Sequence, residues 1–224
     1  MKRPPENRKI QCVIYDCDGV LFDSLEANRK LYNDLALSVG RSPLEDKEVN
    51  YAHSHTVLES IHFIFRHDEV SEKKALELLK GVDFRDYIVY LKMEPHLLEV
   101  LTRLKGEGIR RAINTNRTTS MPHIMKRFHL EPFFDMVVTA LDVKHPKPHP
   151  ESIEKILTAL NVGKEETLFV GDSEVDRQTA ESCGVRFIAY KNREIAEDIF
   201  IHDHLELMEH IPSGRMNLVD KKTL

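Results

Sequence analysis

Asp16 and Asp18 stand one residue apart in Ile14-Tyr15-Asp16-Cys17-Asp18-Gly19-Val20-Leu21-Phe22-Asp23-Ser24. The apolar run Cys12-Val13-Ile14-Tyr15 before them reads as a short buried strand, and Gly19 lets the chain turn sharply after them. Ligands of an open α/β sheet sit at the carboxyl ends of its strands. Two acids there are costly to desolvate unless a cation or proton compensates them. The pair therefore points to a metal-assisted site in which one carboxylate attacks and the other handles protons. An Asp-rich turn capping its own backbone is the plainer alternative.

Three further polar clusters follow apolar runs. Asn114-Thr115-Asn116-Arg117 offers a hydroxyl, an amide and backbone N–H groups able to hold phosphate oxygens. Lys147, in His145-Pro146-Lys147-Pro148-His149-Pro150, is flanked by prolines that can aim it at the aspartates and balance their charge. Gly171-Asp172-Ser173-Glu174-Val175-Asp176 supplies more acids, with Asp176 about one helical turn after Asp172. Hard oxygen ligands of this kind suit Mg²⁺. Each cluster has a bland reading of its own, as turn residues, an exposed lysine or a helix cap. Their recurrence at successive strand ends is harder to obtain from structural needs alone.

The elements that would position them alternate. Besides Cys12–Tyr15, buried strands are expected at Ile109–Asn114, Met136–Thr139, Thr167–Val170 and Val185–Ala189. Helical spacing appears at Leu97, Leu98, Val100, Leu101 and Leu104, again at Ile124, Met125, Phe128 and Leu130, and at Ile153, Ile156, Leu157 and Leu160. Such alternation implies a three-layered α/β/α, Rossmann-like parallel sheet. Between about Leu25 and Lys92 the rhythm is purely helical, through Leu31, Leu35 and Val39, then Val57, Leu58, Ile61, Phe63 and Phe65, then Ala75, Leu76, Leu78 and Leu79. We read 25–92 as an all-helical insertion lying over the site as a cap, with 1–24 and 93–224 forming the core.

Composition bounds the partners. The 224 residues are 41% hydrophobic and 31% charged with a net charge of −5, as in a folded globular chain with no general pull toward nucleic acid. No stretch approaches the roughly 18 apolar residues of a membrane span, and the polar N-terminus lacks a signal peptide's apolar core. Three cysteines, Cys12, Cys17 and Cys183, lack metal-type spacing, so a cytoplasmic location is expected, with Cys12 and Cys17 as core residues. Of the twelve histidines, His53/His55 and His202/His204 are spaced two apart, which separates them on a helix; zinc is not expected and most histidines are assigned to the surface.

Taken together, Asp16-Cys17-Asp18-Gly19-Val20, Thr115-Asn116, Lys147-Pro148 and Gly171-Asp172-Ser173-Glu174-Val175-Asp176 resemble, in order, the four motifs of the haloacid dehalogenase superfamily. The likeness is to its phosphatase branch with a helical cap, and covers nearly all of the core. It implies Asp16 as a nucleophile forming an aspartyl-phosphate and Asp18 as general acid, then base. It implies Thr115 and Lys147 as phosphoryl ligands, joined by Asn116 and Arg117 as candidates, and Mg²⁺ held by Asp16, the Asp18 carbonyl and Asp172 with Asp176 in support. An acid at Asp18 suits an alcohol leaving group, which needs a proton, whereas a halide does not. The resemblance thus implies a Mg²⁺-dependent phosphatase for a small phosphorylated metabolite, similar to phosphoglycolate phosphatases. Its alternatives are a sugar phosphomutase of the β-phosphoglucomutase type, and a catalytically silent binding protein on the same fold. The cap is loosely matched, and Asn28, His53, His55, Arg66 and His67 are its possible substrate contacts. His96 replaces the glycine usual after Pro95, and Val20 a frequent threonine.

Overall fold

The computed structural model describes residues 9–211. The polar stretch at 1–8, read above as no signal peptide, lies outside the described residues. Six strands form one parallel sheet: β1 (Cys12–Tyr15), β4 (Arg110–Asn114), β5 (Met136–Val138), β6 (Thr167–Gly171), β7 (Arg186–Tyr190) and β8 (Phe200–Ile201), in the order β5-β4-β1-β6-β7-β8. β1 is thus central, with β4 on one side and β6 on the other. Its four residues are fully buried, as a parallel strand covered on both faces requires.

Side-chain alternation along β1 separates the two helical layers. Val13 and Tyr15 pack with α5 (Leu97–Gly106) and α6 (Met121–Arg127) through Leu97, Val100, Leu101, Leu104, Met121 and Ile124. Cys12 and Ile14 face α7 (Glu151–Leu160) and α8 (Glu174–Cys183) through Ile153, Ile156 and Ala180. The expected three-layered α/β/α arrangement is observed.

Between β1 and β4 the chain runs through α1 (Leu25–Ser38), α2 (Asp46–Ser54), α3 (Val57–Phe65) and α4 (Glu69–Leu79), then a 3₁₀ segment over Phe84–Tyr90. These helices bury a cluster of their own, built on Leu31, Leu35, Val49, Ile61, Ile64, Phe65 and Ala75. Two two-residue strands, β2 (Phe22–Asp23) and β3 (Lys92–Met93), pair antiparallel at its entrance and exit. Neither these nor β8 figures among the strands expected from sequence; two residues carry no periodicity. The helix expected through Leu130 ends at Arg127, and Leu130 instead precedes a 3₁₀ turn at Glu131–Phe133. His96 adopts φ 58°, the left-handed backbone that glycine takes without penalty, and its Nδ1 lies 2.7 Å from Asp203. Among the described residues, no helix is long and apolar enough to cross a membrane.

Candidate active site

Because the sheet is parallel and β1 is central, Asp16, Thr115 and Asp172, each following the last residue of β1, β4 or β6, emerge at one edge of three adjacent strands. The Asp16 N–H donates to Val170 O of β6 at 2.9 Å, so the ladder continues into the site and fixes the residue. After it the chain closes tightly: Leu21 and Phe22 both donate to Cys17 O, and Gly19 N–H donates to Phe22 O at 2.8 Å. Gly19 has φ 72°, and a Cβ placed there would meet Asp172 Oδ2 at 1.9 Å. Gly171 is likewise demanded by space, since its Cβ would lie 2.4 Å from that of Asp176.

Lys147 is the hub. Its ammonium lies 2.8 Å from Asp16 Oδ1 and 2.6 Å from Asp176 Oδ1, and the residue is only 7% exposed. Asp176 is fully buried; its other oxygen accepts from Ser173 Oγ at 2.6 Å, closing the capping box that starts α8. Asp16, Asp172 and Asp176 each bring an oxygen within 4.8 Å of the others. Asn116 holds the Lys147 backbone from both sides, donating from Nδ2 to Lys147 O and accepting Lys147 N–H at Oδ1, each at 3.1 Å. Its amide thus helps to place the lysine loop. Thr115 is buried and its Oγ accepts from Arg117 N–H at 3.1 Å.

Arg117 reaches across to Asp18, with Nε 2.6 Å from Oδ2 and Nη2 2.6 Å from Oδ1. This is a two-pronged guanidinium–carboxylate pair, the strong form of such contacts. Burial pushes the Asp18 carboxyl up, but the Arg117 charge and hydrogen bonds overcome it and hold the carboxyl below its usual value. Asp16 goes the other way: burial raises it, the Asp176 charge adds to this, and Lys147 opposes incompletely. Asp172 is raised well above the ordinary carboxylate value by burial, then by Asp176 and Asp16. Burial disfavours the charged form of Lys147, yet Asp16 and Asp176 more than reverse this and raise it. The protein's own charges thus shift the two neighbouring carboxyls in opposite directions, Asp16 up and Asp18 down. This is the reverse of the order an attacking Asp16 and a proton-giving Asp18 need; a cation beside Asp16 would lower it.

The cluster holds more negative than positive charge, and every donor is a hard oxygen. A cation among these carboxylates would offset their mutual repulsion, and the donor set fits Mg²⁺. Cys12 and Cys17 are buried core residues as expected, and burial and the Asp18 charge raise the Cys17 thiol, leaving it unreactive. His204 departs from the surface assignment given to most histidines: it is fully buried, stacked on Tyr190, with Nε2 2.9 Å from Val20 O. Asn192 was not singled out in the sequence, yet its Nδ2 donates to Asp172 O at 2.9 Å. Its position just after β7, at the same sheet edge, was the available signal.

Residues 13–190 match the haloacid dehalogenase-like hydrolase family. Pyrophosphatase PpaX of Bacillus anthracis is 30% identical over 81% of this chain and 83% of its own length. A haloacid-dehalogenase-superfamily hydrolase of subfamily IA from Geobacter sulfurreducens PCA superposes with a TM-score of 0.78 at 36% identity, covering 90% of this chain and 96% of that one. β-Phosphoglucomutase from Clostridium difficile shares the fold, with a TM-score of 0.70 at 18% identity over 90% and 97% of the two chains. With the four strand-end clusters gathered at one edge of a parallel sheet, the chain belongs to the haloacid dehalogenase-like hydrolase family, as an enzyme of its phosphatase kind.

Proposed function

We propose that the chain is a Mg²⁺-dependent phosphatase that hydrolyses a small phosphate monoester through an aspartyl-phosphate on Asp16. The observation that supports this best is Lys147, held between Asp16 and Asp176 beside Asp172 at the carboxyl edge of β1 and β6. A structural role alone does not call for three carboxylates around one buried lysine.

An Asp16 oxygen attacks phosphorus and the ester P–O bond breaks, with Asp18 giving its proton to the departing alkoxide. Asp18 then takes a proton from water as that water attacks the acyl phosphate, regenerating Asp16. Lys147 and the Thr115 hydroxyl bind the phosphoryl oxygens, and Lys147 offsets repulsion between nucleophile and substrate. Asn116 keeps Lys147 in place, and Arg117 orients Asp18 and presents positive charge to the leaving portion of the substrate. Asp16, the Asp18 carbonyl and Asp172 would hold Mg²⁺, supported by Asp176; bound there, it neutralises phosphoryl charge. The helical segment 25–92 acts as a cap that excludes water, consistent with its joining the core through the β2–β3 pair and with the Asp18 charge felt, after burial, by the Tyr32 phenol of α1. Three free cysteines suit a reducing, cytoplasmic setting.

The test is phosphate release by the purified chain with Mg²⁺, across phosphorylated metabolites that include phosphoglycolate and pyrophosphate, with Asp16→Asn in parallel. Turnover of one compound that disappears in the variant and with chelator is expected. Release that persists in Asp16→Asn refutes the nucleophile. Conversion of β-glucose 1-phosphate to its 6-phosphate isomer without net phosphate release would favour the mutase instead.

A further inference from the structure

The Lys147 loop has two faces. Lys147 points inward, while His145 and His149 are exposed on the far side. Prolines 146, 148 and 150 alternate with these residues and fix φ at every second position. His149 N–H donates to Pro146 O at 3.0 Å, and the turn so closed brings the two imidazoles to a centroid separation of 4.6 Å. Glu151, the first residue of α7, completes the group. Its Oε2 lies 3.0 Å from His145 Nδ1, and its N–H donates to His149 Nδ1 at 3.2 Å. One donor atom from each of His145, His149 and Glu151 lies within 4.8 Å of the other two.

The carboxylate is not free to wander. Oε1 accepts Lys144 N–H at 2.9 Å and Oε2 accepts His145 N–H at 3.0 Å, so the loop backbone sets its position. Such bonds orient a metal-binding carboxylate. His149 Nδ1 is held by the Glu151 N–H, so a cation that takes this nitrogen as a ligand displaces that hydrogen bond.

Two imidazole nitrogens and one carboxylate oxygen are a donor set for borderline divalent cations such as Zn²⁺, Co²⁺ or Ni²⁺, whereas Mg²⁺ selects oxygen alone. Three protein ligands leave room for water on the ion. We propose that His145, His149 and Glu151 form a second divalent-metal site, selective for Zn²⁺-type cations over Mg²⁺, on the outer face of the loop that carries Lys147. A bound ion ties both flanks of Lys147 to the first turn of α7 and stiffens the loop behind the lysine. Sequence spacing hides the site, because only the proline turn makes neighbours of the three side chains.

Binding can be read without turnover. Zn²⁺ is titrated calorimetrically into tag-free, full-length protein in excess Mg²⁺, with Co²⁺ visible absorption as a second readout. One ion per chain at about micromolar affinity is expected, at least tenfold weaker in His145→Ala and in His149→Ala, and unchanged in Asp172→Asn. Both histidines are exposed, so melting of the metal-free variants at the wild-type temperature is expected and checks the fold. No stoichiometric binding in excess Mg²⁺, or affinity that survives both histidine substitutions, overturns the proposal. So does binding lost in Asp172→Asn, which would put the ion among the aspartates.

Discussion

Gly19→Ala puts the geometry of the Asp16 loop to its sharpest test. The residue sits at φ 72°, where an L side chain costs roughly 1–2 kcal/mol. That strain alone lowers stability moderately and leaves chemistry intact. The added methyl does more, because it would lie 1.9 Å from Asp172 Oδ2 and 2.4 Å from the carboxylate carbon. Real Cβ atoms essentially never approach within 3.0 Å, so the carboxylate must retreat by at least about 1 Å. Asp172 is one of the three acids whose oxygens converge within 4.8 Å, and a misplacement of about 1 Å in such a constellation costs on the order of 100-fold. The expected outcome is a roughly 10- to 100-fold rise in the Mg²⁺ concentration needed for half-maximal phosphate release, with kcat falling by a similar factor. Melting temperature drops by only a few degrees. Steady-state kinetics over a Mg²⁺ titration, with thermal melting as control, reads both. Wild-type Mg²⁺ dependence and kcat in a folded Gly19→Ala protein would refute the claim that Asp172 occupies the space above Gly19 during turnover.

Two other perturbations address charge. Arg117→Ala removes the partner that holds the Asp18 carboxyl down and leaves burial to push it up, so the limb of the kcat/KM profile governed by Asp18 moves to higher pH, with Arg117→Lys in between; a superimposable profile would show that the pair does not set Asp18 during catalysis. His204 is lowered from 6.5 to about 4, mainly by burial and against its bond to Val20 O, so its contribution to stability is complete above pH 6.5 and lost as pH falls through about 4. At about 1.4 kcal/mol per unit this is on the order of 3 kcal/mol, and His204→Gln should shrink the gap in urea stability between pH 7 and pH 4 accordingly. An unchanged gap would mean that His204 is not the acid-sensitive group.

What could be read from the sequence was what is local. Cys12–Tyr15 is apolar at every position because both faces of a central parallel strand are covered, and Asp16 follows it directly. The same logic holds for β6, Thr167–Gly171, which is buried throughout, and for the acids after it. What escaped depends on contacts between distant segments. The Asp18–Arg117 pair spans 99 residues, and the Asn116 clamp on Lys147 spans 31. Neither leaves a periodic trace, and Asn116 looks as much like a phosphate ligand as like a positioning group until its partners are seen. β2, β3 and β8 have two residues each and are defined by pairing alone. Asn192 reaches Asp172 only because β7 lies beside β6.

The pairing of Phe22 with Met93 and Asp23 with Lys92 has a consequence for the history of the chain. The segment from 24 to 91 leaves and returns through adjacent residues, so the sheet meets it as the tip of a hairpin. Closure entropy grows only as the logarithm of loop length, each doubling adding about 0.6 kcal/mol. Lengthening or shortening the helical stretch between the two strands therefore costs little in closure entropy, provided Ala27, Ile88 and Leu91, which pack in the core cluster, are kept. Changes of length within the helical part of that stretch leave Asp16, Thr115, Lys147 and Asp172 at the sheet edge where they stand, so that part of the gene can vary without moving them.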